Sequence, residues 1–291
     1  MKKISELTKH LDLVFWPGGH FGAFFINLMN ASQLTLQDKK YFNRSDKNKE
    51  WAVVDYFSAY HYSERLKLHR TLVNQLVDIY GDDWEQHYYY ILYQYTYRYF
   101  TLNQGDFPDE SIRNLSKEDI LNLADAPFLG VSSPLKFTKC HEEDYFYTND
   151  NIPWNNKIAV VLPKNKRWIA EIMLWYKHTT PLHVVISDLR KKTSYNDDQI
   201  LQKNFKTVNI YDVVFNKDLT SIYNIFPNFN FTKIEERLRN IVNKDSLDIL
   251  HYYGLDHTYE VNNRWDLEKL IEKMMVYQQA QKIKPYSRSE Q

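Results

Sequence analysis

The sequence predicts an α/β protein with three layers, a mostly parallel sheet, a P-loop-like strand-loop-helix and a helical insertion. Two observations predict this class. From residue 131 onward, short apolar runs alternate with segments of helical periodicity, which is typical of a parallel sheet covered by helices. Near the N-terminus, a cluster of glycines separates an apolar run from a helix-like segment. We expect ligands to bind at the carboxyl ends of the strands.

The glycine cluster consists of Gly18, Gly19 and Gly22, in a chain with seven glycines. Residues 13–16 before it predict a buried strand, and residues 23–29 predict a helix. A glycine-rich turn at this place directs backbone N–H groups and the positive end of the helix dipole at one point, as in phosphate- and sulfate-binding sites. Neither the Walker A lysine nor the Gly-x-Gly-x-x-Gly pattern is present. A tight turn that binds nothing is the alternative.

The other elements follow from periodicity. Residues 50–104 are predicted to be helical, because Trp84, Tyr88, Tyr95 and Tyr99 recur at helical spacing, and we expect this aromatic stripe to be core. Strands are predicted at 135–140, 158–162, 183–187 and 207–211, and helices at 166–177, 219–226, 234–243 and 267–281. We predict one domain over residues 1–291, with the helical insertion at about 50–104 and C-terminal helices at about 219–281.

Composition argues against several classes of protein. Lys plus Arg and Asp plus Glu are balanced at 37 each, which argues against a nucleic-acid-binding protein. The single cysteine, Cys140, excludes an internal disulfide and fits a reducing compartment. The N-terminal residues lack the apolar core of a signal peptide, and no apolar run approaches the roughly 20 residues of a membrane span. We therefore expect a cytoplasmic protein with no membrane partner.

Three segments occur in a characteristic order. They are the glycine loop at 17–25 with its strand and helix, the stretch Lys-Phe-Thr-Lys-Cys-His at 136–141 with the strand and basic turn at 158–167, and the segment 208–226. This order resembles the sulfotransferase family, whose members transfer a sulfuryl group from 3'-phosphoadenylyl sulfate on a P-loop-like α/β fold. The resemblance covers about half of the chain and rests on order and spacing more than on residue identity.

The resemblance implies a donor site in the glycine loop, formed by Pro17, Gly18, Gly19, His20, Phe21, Gly22, Ala23 and Phe24. His20 falls where the family has a lysine, and Phe21, Ala23 and Phe24 replace hydroxyl residues. Backbone N–H groups would then bind the phosphosulfate, and an imidazolium at His20 would supply the charge that helps the sulfate leave.

The resemblance also implies a catalytic base and a 3'-phosphate site. His141 falls at the base position, where a neutral imidazole accepts the proton of the acceptor hydroxyl. The arginine of the family's 3'-phosphate site falls on residue 162 or 163, and its serine on residue 170 or 171, so neither type is present. Lys164, Lys166 and Arg167 are the nearby cations that replace them.

We therefore expect a sulfotransferase-like enzyme that uses 3'-phosphoadenylyl sulfate, needs no metal, and sulfates a hydroxyl of a carbohydrate or small metabolite. The alternative is a non-catalytic binding or structural protein that keeps the fold but has lost the donor chemistry. It includes a viral protein in the host cytoplasm, since 23 tyrosines and few glycines fit an A/T-rich genome. A phosphoryl-transferring P-loop enzyme is disfavoured by the missing Walker lysine.

Overall fold

A computed structural model describes residues 4–16, 21–33, 69–103, 112–128, 137–140, 153–175, 181–192, 204–241 and 250–281. Contacts divide the chain into two compact units, each built from two stretches of sequence. The first comprises residues 1–15 and 23–158, and the second comprises residues 16–22 and 159–291. The single domain over residues 1–291 stays a prediction.

Among the described residues, the sheet has four strands in the order β2-β1-β3-β4. The strands are β1 (Asp12–Phe15), β2 (Phe137–Cys140), β3 (Asn156–Val161) and β4 (Lys206–Asn209). β1 and β2 are parallel, with Asp12 opposite Phe137 and Phe15 opposite Cys140. β1 is an interior strand, and all four of its residues are buried. The mixed α/β class is therefore confirmed in its coarse form.

Helices form most of the described part of the first unit. They are α1 (Ile4–Thr8), α2 (Gly22–Gln33) except its first residue, α3 (Arg70–Tyr80), α4 (Trp84–Asn103) and α5 (Lys117–Asp125). The predicted aromatic stripe lies on α4 and is core, with Tyr88, Tyr89 and Tyr90 at most 2% exposed. Residues 87–94 are all buried, so this part of α4 packs on every side. The helical prediction is confirmed for the described part of 50–104.

Asp12 joins the start of β1 to the start of β3 within the first unit. Its Oδ1 accepts hydrogen bonds from Nδ2 of Asn155 at 2.8 Å and from Nδ2 of Asn156 at 2.7 Å. The backbone N–H of Asn155 also donates to the carbonyl of Leu11 at 3.0 Å. Because the Asp12 residue is only 3% exposed, these amides satisfy a buried carboxylate that would otherwise be costly.

The second unit carries the remaining helices, α6 (Arg167–Trp175), α7 (Leu182–Lys192), α8 (Thr220–Ile225), α9 (Phe231–Ile241) and α10 (Arg264–Gln281). A 3-10 turn over Lys164–Lys166 precedes α6, and a π-type turn over Asp212–Asn216 follows β4. In their described parts, the predicted strands at 135–140 and 158–162 are confirmed. The helices predicted at 166–177, 219–226, 234–243 and 267–281 are also confirmed, with shifted ends.

The strand predicted at 183–187 is wrong, because these residues lie inside α7. Val185, Ile186 and Leu189 are buried and Leu182 is half-buried, which is the i, i+3, i+4, i+7 pattern of one helix face. The three β-branched residues at 184–186 look like a short strand when they are considered without their neighbours.

The strand predicted at 207–211 ends earlier, at Asn209. Oδ1 of Asn209 accepts a hydrogen bond from the backbone N–H of Tyr211 at 3.2 Å. Such an Asx turn replaces the hydrogen bonds that would extend the strand. Residues 210 and 211 are therefore already helical.

Candidate functional site

The strand before the glycine cluster and the helix after it are confirmed. β1 ends at Phe15 and α2 begins at Gly22, so the loop has the predicted place, after an interior strand of the sheet. Of the predicted donor-site residues, Pro17, Gly18, Gly19 and His20 lie outside the described residues, while Phe21, Gly22, Ala23 and Phe24 are described. The converging N–H groups of this loop stay a prediction.

Gly22 is needed for space and not for its backbone conformation. A Cβ atom on Gly22 would overlap the indole ring of Trp16, which is itself buried. The left-handed residue is its neighbour Phe21, with φ of 57°. A bulky residue rarely adopts this conformation, so Phe21 is held there by its surroundings.

His141, the predicted base, lies outside the described residues. The neighbouring strand β2 ends at Cys140, so the structure describes the chain up to the residue before His141. The catalytic role of His141 therefore stays a prediction.

A cavity of about 650 Å³ lies in the second unit, beside the basic turn that follows β3. Two of the three predicted cations, Lys164 and Arg167, line it. Arg190 and Arg264 also line it, so four cationic side chains surround the cavity. Glu268 is the one carboxylate among the described residues that line it. This excess of positive charge makes the cavity a candidate site for an anion.

Two helices begin at this cavity. Arg167 is the first residue of α6, and Arg264 is the first residue of α10. Asn263 fixes the start of α10, because its Oδ1 accepts the backbone N–H of Asp266 at 3.0 Å. The positive ends of both helix dipoles therefore add to the field of the four side chains.

Lys166, the third predicted cation, has a different environment. Its residue is 5% exposed, and its Nζ donates to the carbonyl oxygens of Thr258 at 2.7 Å, Tyr259 at 3.0 Å and His257 at 3.3 Å. An ammonium group has three protons, and three carbonyls accept them here. Lys166 therefore stabilises the segment 257–259, and its role as a phosphate ligand stays a prediction.

The charge of Lys166 is also balanced from nearby. Burial lowers the pKa of Lys166 below its ordinary value, and Oε1 of Glu260, 3.7 Å from Nζ, acts in the opposite direction. The ring of Tyr211 lies 4.9 Å from the same Nζ atom, at the distance of a cation-π contact.

Further contacts hold the wall of the cavity in place. The backbone N–H of Val261 donates to the carbonyl of Asn165 at 3.0 Å, and Nε1 of Trp168 donates to the carbonyl of Tyr259 at 3.3 Å. Together with the three hydrogen bonds of Lys166, these contacts join the basic turn at 163–167 and the following Trp168 to residues 257–261, which precede α10. The basic turn and the start of α10 are thus fixed to each other within the second unit.

An aromatic cluster connects the glycine loop to this wall. Phe21, the last loop residue, meets Phe215 edge-on with ring centroids 6.2 Å apart. Phe215 stacks on His257 at 4.9 Å and 11°, and the Tyr211 hydroxyl donates to the carbonyl of His257 at 3.2 Å. The cluster therefore links the end of the loop to the same segment that Lys166 holds.

Arg190 and Glu268 form a bidentate ion pair at the cavity. Nε of Arg190 lies 2.9 Å from Oε1 of Glu268, and Nη2 lies 2.6 Å from Oε2. The hydrogen bond from Arg190 holds the pKa of Glu268 below its ordinary value, so this carboxylate is ionised at neutral pH. The side chains of Arg190 and Glu268 are 52% and 37% exposed.

The sequence did not predict Arg190, Arg264 or Glu268 as site residues. Charged side chains on amphipathic helices are ordinarily solvated, so nothing local distinguishes these three. The wrong strand at 183–187 also obscured the helix that carries Arg190. The sequence signal for this site was the basic turn after β3. It indicated one wall of the cavity and gave no indication of the helices that carry the other cationic residues.

No helix in the described part of the chain is both long and apolar enough to cross a membrane. No group of three or more His, Cys, Asp or Glu side chains in that part is arranged to hold a metal ion.

Comparisons with protein-family models, with curated proteins and with solved structures find no match for this chain.

Proposed function

We propose that this chain is a sulfotransferase-like enzyme that binds 3'-phosphoadenylyl sulfate, with the 3'-phosphate of the donor in the cationic cavity. The observation that carries the proposal is the composition of that cavity. Four cationic side chains and the starts of two helices surround about 650 Å³, which suits a phosphate-bearing metabolite. Lys164 and Arg167 are among the residues that the resemblance assigns to the 3'-phosphate.

The remaining roles in the proposal come from the resemblance. The loop at 17–25 binds the phosphosulfate, with His20 beside it. The acceptor hydroxyl oxygen attacks the sulfur, His141 takes the hydroxyl proton, and the bond from sulfur to the bridging oxygen breaks. The electron pair of that bond leaves on 3'-phosphoadenosine 5'-phosphate. Acceptors in this proposal are hydroxyl groups of carbohydrates or small metabolites.

A non-catalytic binding protein with the same fold is the second candidate. Lys166 favours it, because three backbone carbonyls accept the hydrogen bonds of a cation that the enzyme would use for phosphate. The loop also has His20 where the family has a lysine. In this candidate the cavity binds an anion and no sulfuryl group is transferred.

Calorimetric titration with 3'-phosphoadenosine 5'-phosphate tests the donor site. We expect binding to the wild type and about tenfold weaker binding to Lys164→Gln, since one charge-assisted contact to phosphate is lost. Lys117→Gln is the matched control, because Lys117 is exposed at the start of α5 and does not line the cavity. No binding to the wild type, or equal losses in both variants, would overturn the proposal.

A sulfate-transfer assay separates the two candidates. The enzyme transfers labelled sulfate from 3'-phosphoadenylyl sulfate to some member of a panel of hydroxyl acceptors. The binding protein takes up 3'-phosphoadenosine 5'-phosphate but transfers no label to any of them.

A further inference from the structure

Helix α10 carries apolar side chains on two opposite faces. Its inner face is formed by four buried residues, Leu267, Leu270, Ile271 and Met274. Trp265 and Val276 lie on the outer face and are 68% and 60% exposed. A helix at the surface of a globular protein ordinarily has charged and polar residues on its outer side. The outer face of α10 is therefore more apolar than that of an ordinary surface helix.

The outer face also has the spacing of a coiled coil. Trp265, Lys269, Glu272 and Val276 follow one another at intervals of four, three and four residues, which is the alternation of d and a positions in a heptad. At 3.6 residues per turn, these four side chains lie within an arc of about 60°. All four are exposed, and Met275 beside them is 43% exposed. These four residues form the outer stripe of α10.

The outer stripe is complementary to itself when two copies of α10 lie antiparallel. If the two-fold axis lies at the level midway between residues 270 and 271, Trp265 is level with Val276 of the second copy. Lys269 is then level with Glu272 of the second copy, because both pairs are centred on the same point of the helix. Two apolar layers thus enclose two layers of opposite charge. An isologous interface requires this kind of self-complementarity.

The charges of the outer stripe disfavour the parallel arrangement. Two parallel copies in register would place Lys269 against Lys269 and Glu272 against Glu272, and like charges that face each other repel. Lys269 already lies against the apolar end of the stripe, since its Nζ is 5.0 Å from the ring centroid of Trp265. The order of the charges therefore favours an antiparallel second copy.

We propose that α10 is a dimerisation helix, on whose outer stripe a second copy of this chain packs antiparallel. The inference is independent of the proposed function, because no residue of the stripe lines the cationic cavity. At 1.5 Å per residue, the stripe covers about 17 Å of the helix. An interface this small belongs to weak or transient complexes, and we expect a dissociation constant of about 100 µM.

Sedimentation velocity of the full chain over a range of concentrations tests the proposal. We expect a monomer–dimer equilibrium for the wild type. Lys269→Glu and Glu272→Lys each place like charges in both middle layers, so each variant alone should dimerise at least about tenfold more weakly. An equimolar mixture of the two variants should dimerise again, because one copy is then negative at both positions and the other is positive at both. This rescue requires that the charges meet between copies.

Two further variants complete the experiment. Trp265→Gln removes the large apolar side chain of the stripe and should also weaken dimerisation at least about tenfold. Glu236→Lys is the matched control, because Glu236 is exposed on α9 and its replacement changes the net charge as Glu272→Lys does. It should leave the equilibrium unchanged. Thermal unfolding checks that each fold is intact, and these substitutions of exposed side chains should barely change it.

Several results would overturn the inference. A wild type that stays monomeric at the highest concentration would do so, as would a mixture of the two charge variants that stays monomeric. Charge variants that dimerise singly as tightly as the wild type would show that copies meet elsewhere, and so would an unchanged equilibrium in Trp265→Gln. Growth beyond the dimer would also contradict the proposal, because a two-fold interface closes with two copies.

Discussion

Lys166→Met should lower the free energy of unfolding by about 2 kcal/mol, because it removes the charge-assisted hydrogen bonds of a buried ammonium group. The carbonyl of Thr258 loses its donor in this variant, whereas the carbonyls of Tyr259 and His257 each lose one of two donors and keep Trp168 and Tyr211. Methionine keeps most of the aliphatic stem, so the change removes the ammonium group with little loss of packing. The position is 5% exposed, so water replaces the lost donor poorly. Urea unfolding followed by tryptophan fluorescence measures the difference.

Lys164→Met provides the matched control, two residues earlier in the same turn. Lys164 is exposed, so its replacement should change the free energy of unfolding by less than about 0.5 kcal/mol. Similar losses in both variants would show that the Lys166 hydrogen bonds do not stabilise the fold. A loss confined to Lys166→Met would confirm that this lysine is part of the structure of the wall.

The local elements of the fold could be predicted because their signals are local. The order of apolar runs located β1, β2 and β3, and the aromatic stripe located α4. The strand predicted at 183–187 failed because three β-branched residues in a row fit a strand and a buried helix face equally well. Only the packing of Val185, Ile186 and Leu189 on one face decides between them, and packing is a tertiary property.

The candidate site could be predicted only in part, for a related reason. The basic turn at 163–167 was visible as a cluster of charges next to a strand end. The sequence could not show that Lys166 would turn inward to the segment 257–259, since a lysine is seldom this buried. Arg190 and Arg264 reach the same cavity from helices far apart in sequence, so no local pattern connects them.

Gly22 in the glycine loop is required by the space around it and not by its own backbone conformation. The glycine cluster predicted a tight turn between a strand and a helix, and a side chain at Gly22 would indeed be obstructed there. The obstruction is the ring of Trp16, while the left-handed backbone belongs to Phe21. Among the described glycines, positive φ occurs at Gly81 and Gly254.

Gly22→Val should lower the free energy of unfolding by about 3 kcal/mol, because overpacking a buried position forces neighbouring groups to move. Both residues of the contact are buried, so the indole ring of Trp16 cannot move into solvent without losing its own packing. Gly22→Ala already introduces the Cβ atom that overlaps the ring and should have most of the effect. Urea unfolding of the two variants measures both values.

A double-mutant cycle with Trp16→Leu identifies the cause. If the Cβ atom and the indole ring collide, Gly22→Ala should destabilise the Trp16→Leu background less than it destabilises the wild type, by at least about 1 kcal/mol. Gly81→Ala is the contrasting control, because Gly81 has φ of 59° and no atom within 4 Å of the added Cβ. Its cost of about 1–3 kcal/mol comes from the backbone, since φ of 59° with ψ of −132° suits glycine almost alone, and it should be the same in both backgrounds. If the cost of Gly22→Ala is also the same in both, Trp16 is not the obstruction, and the glycine is required by the loop for another reason.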